Sequence, residues 1–415
     1  MTPRTPATGT SAARTLPTLR RALTAVAAAA ALAATALAPA ASAAPADGGT
    51  GRHAATQAAM EAQTTGPGAV PGILGRAHDR HGSWHGSAGV ADLTTHRQRL
   101  SLDRFRIGSI SKVYSSVVLL QLESEGRLDL DNPVEEYLPG VLRGNGNDGR
   151  RVTLRQVLNH SSGIFNYTED PAFAEKLSVG FPQHRYDTAR PAELVATALR
   201  HRPYFKPGKG WHYSNTNYIL AGLVIEKVTG HPYATEIERR VLRPLDLRNT
   251  TLPGTSPRMP DPHGRAYSKL LSTAPDAKVH DTTELNPSWG WAAGEIISTT
   301  GDLTRFYEAL LDGRLLPRHQ QRELLTTVPV QAQEMSAYGL GIARSRLSCG
   351  TTVWFHSGGI HGSTSLVAAT RGGGHTAAFN LNGDWGGNLA ALLEAEYCGT
   401  AKTPGPGLER LATLR

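Results

Sequence analysis

The order of strand-like and helical patterns along the chain restricts its fold more than any other feature. The segment 72–93 alternates between apolar and polar residues around glycine turns, which predicts a strand hairpin. Four further strand-like segments lie near the other end, at 338–344, 351–359, 364–371 and 375–382. Helical spacing dominates between these ends. We therefore predict an α/β (α+β) fold, in which helices flank an antiparallel β-sheet and a mostly helical lobe, about 120–288, is inserted.

The predicted helices carry apolar residues at helical spacing, and the one at 217–230 ends in a glycine stop. They cover 152–164, 189–201, 217–230, 233–245, 300–313 and 388–398.

The N-terminus has the pattern of an export signal. Arg20 and Arg21 precede an alanine-leucine run, and small residues end at Ala43, so we predict a signal peptide over 1–43. The signal fits both the general export route and the twin-arginine export route. We expect a flexible lead-in at 44–62, one domain over 63–400 and a tail at 401–415. No other apolar stretch is long enough to span a bilayer, so a soluble, secreted protein is expected.

Charge and cysteine content exclude some classes of protein. The net charge is +8, and it falls to +4 without the leader, which carries four arginines and no acidic residue. No basic stripe with interleaved aromatic residues is present, so nucleic-acid binding is not expected. The two cysteines, Cys349 and Cys398, are expected to pair outside the cell, although two free buried thiols are the alternative. We expect a monomer without a cofactor.

Ser109 and Lys112 form the first candidate catalytic pair. They stand three residues apart at the start of an apolar helix, so the hydroxyl and the amine share one face. Lys112 alone among the eight lysines has a serine three residues earlier. A serine beside an amine that accepts its proton is a nucleophile. The alternative is a helix cap beside a solvated lysine.

Two later motifs complete a possible site. Tyr213 and Asn215 stand two apart in a turn, and His356 lies in a strand that continues into Gly358 and Gly359. Tyrosine-x-asparagine is also ordinary turn chemistry, and histidine-x-glycine also arises by chance. Bare glycine backbone suits a substrate that lies against a strand edge.

The first predicted hairpin contains three histidines, His78, His81 and His85, a residue type that often binds metal ions. No helical histidine-glutamate pair or second ligand cluster accompanies them, so we interpret them as solvated strand residues and predict no metal.

The chain resembles the penicillin-interacting serine hydrolases, which comprise class C β-lactamases, related esterases and serine DD-peptidases. The resemblance covers about 63–399 and rests on "LDLDNPVEEYLP", "VTLRQVLNHSSGI", "PGKGWHYSNTNYILAGLVIEKVTG", "AAGEIISTTGDL" and "HSGGIHG". The placement of Cys349 and Cys398 is similar to that in secreted D-alanyl-D-alanine carboxypeptidases. The resemblance implies a β-lactamase/transpeptidase-like fold and a carboxypeptidase that acts on peptidoglycan-type D-alanyl peptides and that β-lactams inhibit.

The resemblance also implies roles for residues. Ser109 is the acylated nucleophile, Lys112 its proton partner and Tyr213 the general base that returns a proton to the leaving amine. His356 adds positive field, and Asn215 binds the substrate amide. Further implied roles are an oxyanion hole from the backbone N–H groups of Ser109 and Gly359, a cleft wall at Trp289, and substrate contacts at Ser357 and Gly358.

This sequence departs from those carboxypeptidases where they bind a terminal carboxylate. The hydroxyl at Ser357 is kept, but Gly359 has none, and Ala343 stands where the family has an arginine. Strand alternation turns Arg344 and Arg346 away from the cleft unless a bulge shifts them. We therefore predict weak recognition of a free carboxylate. A β-lactamase, an esterase, a D-aminopeptidase and a non-catalytic penicillin- or peptide-binding protein stay open as alternatives.

Overall fold

The computed structural model describes residues 51–330 and 335–400. The predicted signal peptide, 1–43, and the predicted tail, 401–415, lie outside these residues. The strands are β1 Gly72–Asp79, β2 Gly82–Gly89, β3 Phe105–Arg106, β4 Arg143–Gly144, β5 Asn147–Asp148, β6 Tyr267–Ser268, β7 His280–Asp281, β8 Ile297–Ser298, β9 Val328–Pro329, β10 Ala337–Tyr338, β11 Ala343–Arg346, β12 Thr352–Ile360, β13 Ser363–Thr370 and β14 Thr376–Leu381. The α-helices are α1 Ala54–Ala62, α2 Ser111–Ser124, α3 Val134–Tyr137, α4 Leu154–Leu158, α5 Pro171–Leu177, α6 Phe181–His184, α7 Pro191–Leu199, α8 Asn215–Thr229, α9 Tyr233–Ile237, α10 Thr300–Leu311, α11 Arg318–Leu325 and α12 Leu389–Cys398.

The main sheet joins strands from both ends of the chain. It has eight strands in the order β2-β1-β14-β13-β12-β11-β10-β9, and the neighbours pair antiparallel. The first hairpin, β1 and β2, lies beside β14, with Ile73 opposite Leu381. The helices from α3 to α9 form the inserted lobe, whereas α10 returns to the sheet. The antiparallel sheet with inserted helices is the predicted fold class.

Both faces of the sheet are covered, which explains why its inner strands are almost wholly apolar or small. Along β12, Val353 and Phe355 pack in one apolar cluster with α1 and α12, while Trp354 packs in the larger cluster on the opposite face. This alternation follows from the two-residue repeat of a strand. Helix α10 covers β1, β13 and β14.

The helical lobe buries its own core around α2 and α8. Ten consecutive residues of α2, from 111 to 120, are buried, so this helix is enclosed on all sides. Helix α8 ends at Gly230, whose φ of 75° is left-handed and which stops the helix as the sequence predicts.

Two details of the sequence-based prediction are wrong. Residues 54–62 of the expected flexible lead-in form α1, because Ala59 and Met60 are buried against the sheet and α12. The segment 338–344 is not one strand. Gly341, with a φ of 83°, lies in the turn between β10 and β11, so the segment forms the bend of a hairpin.

The disulfide predicted between Cys349 and Cys398 is present and joins the turn before β12 to the end of α12. Within 51–330 and 335–400, no helix has both the length and the hydropathy needed to cross a bilayer. The same residues contain no cluster of three or more side chains that could hold a metal ion. His85 instead contacts Arg76, and His78 contacts Ser83.

Candidate active site

Ser109 lies in a short 3-10 turn, Gly108–Ile110, that leads directly into α2. The turn packs against β12, and a Cβ atom at Gly108 would come within 2.8 Å of the Gly359 carbonyl oxygen. Gly108 also has a left-handed φ of 50°. Glycine is therefore required here by both space and conformation. The contact fixes the serine at the edge of the sheet.

Lys112 is completely buried beneath Ser109. Its Nζ lies 2.8 Å from Ser109 Oγ, 2.8 Å from Asn215 Oδ1 and 2.8 Å from the Ala293 carbonyl oxygen. Burial holds the pKa of Lys112 well below its usual range. A neutral amine has two N–H donors and one lone pair. Asn215 Oδ1 and the Ala293 carbonyl can only accept, so the lone pair faces the Ser109 hydroxyl. Lys112 is thus placed to remove the serine proton.

Tyr213 and Asn215 stand at the start of α8, as the motif predicts. Asn166 Oδ1 accepts a hydrogen bond from the Asn215 backbone N–H, and the Asn215 side-chain amide donates to Thr168 Oγ1. Lys112 Nζ lies 4.9 Å from the centre of the Tyr213 ring. One relay can therefore include the serine, the lysine and the tyrosine.

The role expected of Tyr213 as a general base needs correction. Burial raises its pKa above the ordinary value, and the nearby Ser109 hydroxyl lowers it only in part. The phenol faces Ser109 without a hydrogen bond of standard geometry among the described residues. It is therefore protonated in the free enzyme. A protonated phenol suits proton donation to a leaving group, whereas Lys112, 2.8 Å from Ser109 Oγ, is the group placed to accept the serine proton.

The positive field expected from His356 is also absent. Burial, and secondarily repulsion from Lys112 in its protonated form, lowers the pKa of His356 to about 3. Its Nδ1 donates to the Ser357 carbonyl, and Tyr338 donates to Nε2 over 3.0 Å. The imidazole is neutral, and its ring centre lies 6.5 Å from the ring centre of Tyr213. Sequence alone could not show this because the burial arises from distant elements.

A cavity of about 160 Å³ opens above Ser109 between the sheet and the helical lobe. Its apolar wall is formed by Ala174, Leu177, Leu271, Trp289 and Ile360. Two carboxylates, Glu169 and Asp384, also line it, and no lysine or arginine of the described chain does.

The structure brings only some of the predicted binding residues to this cavity. Asn215, Trp289 and Gly359 line it, but Ser357 and Gly358 do not. Ser357 is buried, and its hydroxyl has no hydrogen-bond partner among the described residues. A Cβ atom at Gly358 would lie 2.0 Å from the Ile107 carbonyl oxygen, so this glycine permits close packing of the serine turn. The expectation of substrate contact by Ser357 and Gly358 is therefore wrong.

The arginines of β11 do not reach the cavity. Ala343 is buried in the apolar core, and the Arg344 guanidinium lies over the Trp354 ring at 5.9 Å. Arg346 is exposed. No bulge shifts these residues, because the pairing of β11 with β12 is regular from Ala343 to Arg346. The predicted lack of the family cation on this strand is confirmed.

Sequence reasoning missed several residues of the cavity. Glu169 is the last residue of the 3-10 turn Tyr167–Glu169, Leu271 lies in a loop after β6, and Asp384 follows β14. None belongs to a motif with a fixed spacing to Ser109, so no local signal identifies them.

Comparisons with known proteins agree with this geometry. The family model described as "Beta-lactamase" matches residues 53–396. Penicillin-binding protein 4* of Bacillus subtilis (strain 168) is 26% identical over 292 residues, which cover 68% of this chain and 62% of that protein. The chain thus spans less than two thirds of that curated relative.

Two solved structures are similar over most of the chain. The D-stereospecific amidohydrolase from a Streptomyces species is 54% identical, with a TM-score of 0.79, covering 84% of this chain and 99% of that one. The D-amino acid amidase from Ochrobactrum anthropi SV3, complexed with L-phenylalanine amide, is 27% identical with a TM-score of 0.69, covering 79% and 90%. The chain therefore belongs to the beta-lactamase family, with the β-lactamase/transpeptidase-like fold, and is a serine hydrolase.

Proposed function

We propose that this protein is a D-stereospecific amidohydrolase, which cleaves the amide or ester of a D-amino acid that has an apolar side chain and a free α-amino group. The observation that carries the proposal is the charge of the cavity: the Glu169 carboxylate lines it, and no lysine or arginine of residues 51–330 and 335–400 does. A protonated amine is attracted there and a terminal carboxylate is repelled. The 54% identity to the Streptomyces D-stereospecific amidohydrolase supports the same class of substrate.

Glu169 is the carboxylate best held for an ammonium group. Tyr204 donates to its Oε2 over 2.6 Å, and the Asn166 side chain donates to its Oε1 over 3.1 Å. The side chain is 42% exposed. A fixed but solvated carboxylate can exchange water for a substrate ammonium at modest desolvation cost. The apolar wall opposite, with Leu271, Trp289 and Ile360, would receive the substrate side chain.

The reaction follows from the positions of Ser109, Lys112 and Tyr213. Ser109 Oγ attacks the carbonyl carbon while its proton passes to Lys112 Nζ. The Ser109 and Gly359 backbone N–H groups would stabilise the oxyanion. Tyr213 gives its proton to the leaving amine and regains one from Lys112 as the carbon–nitrogen bond breaks. Water then attacks the acyl-enzyme with the proton steps reversed, which releases the D-amino acid and restores the serine.

The second candidate is the D-alanyl-D-alanine carboxypeptidase that the family resemblance predicts. Its support is the similarity to penicillin-binding protein 4*. The weakness of this candidate is the absence, among the described residues, of a cation or a β12 hydroxyl at the cavity to hold the terminal carboxylate. In either case we propose a secreted monomer that β-lactams acylate.

The deciding experiment compares purified enzyme on D-phenylalanine amide, L-phenylalanine amide and an N-acetylated D-alanyl-D-alanine peptide. We expect the D-amide to exceed the L-amide by about a hundredfold or more in kcat/KM, and to exceed the peptide. A preference for the peptide would instead establish the carboxypeptidase. Mass mapping after incubation with benzylpenicillin should place the adduct on Ser109, and Ser109→Ala should form none.

A further inference from the structure

The motif Asn159–Gly163, "NHSSG", is hydrogen-bonded to the loop 204–212, which leads to Tyr213. Its carbonyl groups accept three backbone hydrogen bonds from that loop: Tyr204 N donates to Gly163, Gly208 N to Ser161 and His212 N to His160. A Cβ atom at residue 163 would lie 2.1 Å from the Phe205 carbonyl oxygen. The loop and the motif are therefore in close backbone contact along most of their length.

The His160 side chain adds a fourth link. Its Nδ1 accepts from the Ser214 backbone N–H over 3.2 Å and from Asn217 Nδ2 over 3.1 Å. Ser162 Oγ donates to Asn217 Oδ1, which turns the amide so that its NH₂ group faces the imidazole. Because Nδ1 accepts, the ring is neutral with its proton on Nε2. Burial, and then repulsion from Lys112 in its protonated form, holds the pKa of His160 well below its usual range.

These contacts hold the residues on either side of Tyr213. The residue before it is bound through the His160 carbonyl, and the residue after it through the His160 ring. The ring itself lies against the phenol, with 4.3 Å between ring centres. His160 has a left-handed φ of 62°, which is uncommon for a residue with a side chain. An ordinary core histidine does not need this backbone, whereas a residue that must present both its carbonyl and its ring to one turn can.

We infer that His160 is a positioning residue for Tyr213, holding the phenol where it can protonate the leaving group. The inference rests on the proposed acyl-enzyme mechanism. It predicts that His160 matters most when the leaving group cannot depart without a proton. An amide nitrogen needs that proton, and p-nitrophenolate does not.

The test measures kcat and KM of His160→Ala and His160→Asn on D-phenylalanine amide, and the rate of the p-nitrophenolate burst, which reports acylation alone, on the p-nitrophenyl ester of D-phenylalanine. For His160→Ala we expect kcat on the amide to fall about 30-fold or more, with ester acylation changed less than about threefold and KM nearly constant. Asparagine adopts positive φ and its Oδ1 can accept from the Ser214 N–H, so His160→Asn should recover about a third or more of the amide activity.

A double-mutant cycle with Tyr213→Phe separates positioning from general destabilisation. If His160 acts through the phenol, His160→Ala should cost little more in the Tyr213→Phe enzyme. Equal losses on amide and ester, or additive losses in the cycle, would overturn the inference. Circular dichroism of each variant checks folding, and His160→Gly, which removes the ring and adopts the left-handed backbone without strain, replaces His160→Ala if the latter is unfolded. If the wild type prefers the D-alanyl-D-alanine peptide, the proposed specificity fails, and the same comparison is made between that peptide and an activated thioester analogue.

Discussion

A threonine at Gly359 should strengthen the recognition of a substrate carboxylate, which we predict to be weak in this cavity. Gly359 lines the cavity, and a Cβ atom there would have no neighbour within 4 Å. Its φ is not left-handed, so a β-branched residue fits the strand. A hydroxyl bonded to a charged group contributes about 1.5 to 3 kcal/mol, or roughly 10- to 150-fold. We expect Gly359→Thr to raise the preference for an N-acetylated D-alanyl-D-alanine peptide over its C-terminal amide by about tenfold or more in kcat/KM.

Two matched variants make the test specific. Gly359→Val has the shape of threonine without the hydroxyl, so its preference between acid and amide should stay at the wild-type value. Gly358→Ala should lower activity on both substrates alike, because its Cβ would lie 2.0 Å from the Ile107 carbonyl oxygen and 2.9 Å from Ser109 N. D-Alanine release and amide release are both followed chromatographically. An equal response of the threonine and valine variants would refute the reasoning that the missing hydroxyl limits carboxylate binding.

Three further predictions concern other parts of the molecule. Lys112 must be neutral to accept the Ser109 proton, so kcat/KM should fall as pH drops through its lowered pKa. Lys112→Arg, whose side chain is always charged, should lower kcat/KM about a thousandfold at every pH. If kcat/KM of this variant fell at low pH as it does in the wild type, Lys112 would not be the proton acceptor. Glu169→Gln should raise KM for D-phenylalanine amide about two- to fivefold and leave KM for N-acetyl-D-phenylalanine amide unchanged. An equal change in KM for both substrates would contradict the role proposed for Glu169. Replacing Cys349 and Cys398 together by serine should lower the free energy of unfolding by about 2 to 4 kcal/mol, measured by urea denaturation, while a change below about 0.5 kcal/mol would show that the bond is not stabilising.

The parts of the site that sequence could predict are those set by local geometry. Ser109 and Lys112 meet because three residues make nearly one turn of helix, and Tyr213 lies two residues before Asn215, the first residue of α8. The sheet was predictable because its inner strands are short runs of mostly apolar and small residues and its turns contain glycine. Helix α1 escaped prediction because its short apolar face gains stability only from α12 and the sheet, which are distant in sequence.

Charge states were harder to predict than positions. The sequence shows that His356 and Tyr213 exist, but their protonation depends on how completely the fold removes water from them. The cavity wall was also hidden, since Glu169, Leu271 and Asp384 come from three separate loops. Such groups become neighbours only through tertiary packing.

The pairing of β1 with β14 has a consequence for how the protein matures. Ile73 and Leu381 are neighbours in the sheet although nearly the whole domain separates them in sequence. Contacts of such range carry a large loop-closure entropy and slow folding. A partly synthesised chain that lacks β13 and β14 leaves one edge of β1 and one edge of β12 without partners, and β12 is the strand against which the serine turn packs. We therefore expect a chain that ends before β13 to show no hydrolase activity, because β12 would lack one of its partner strands.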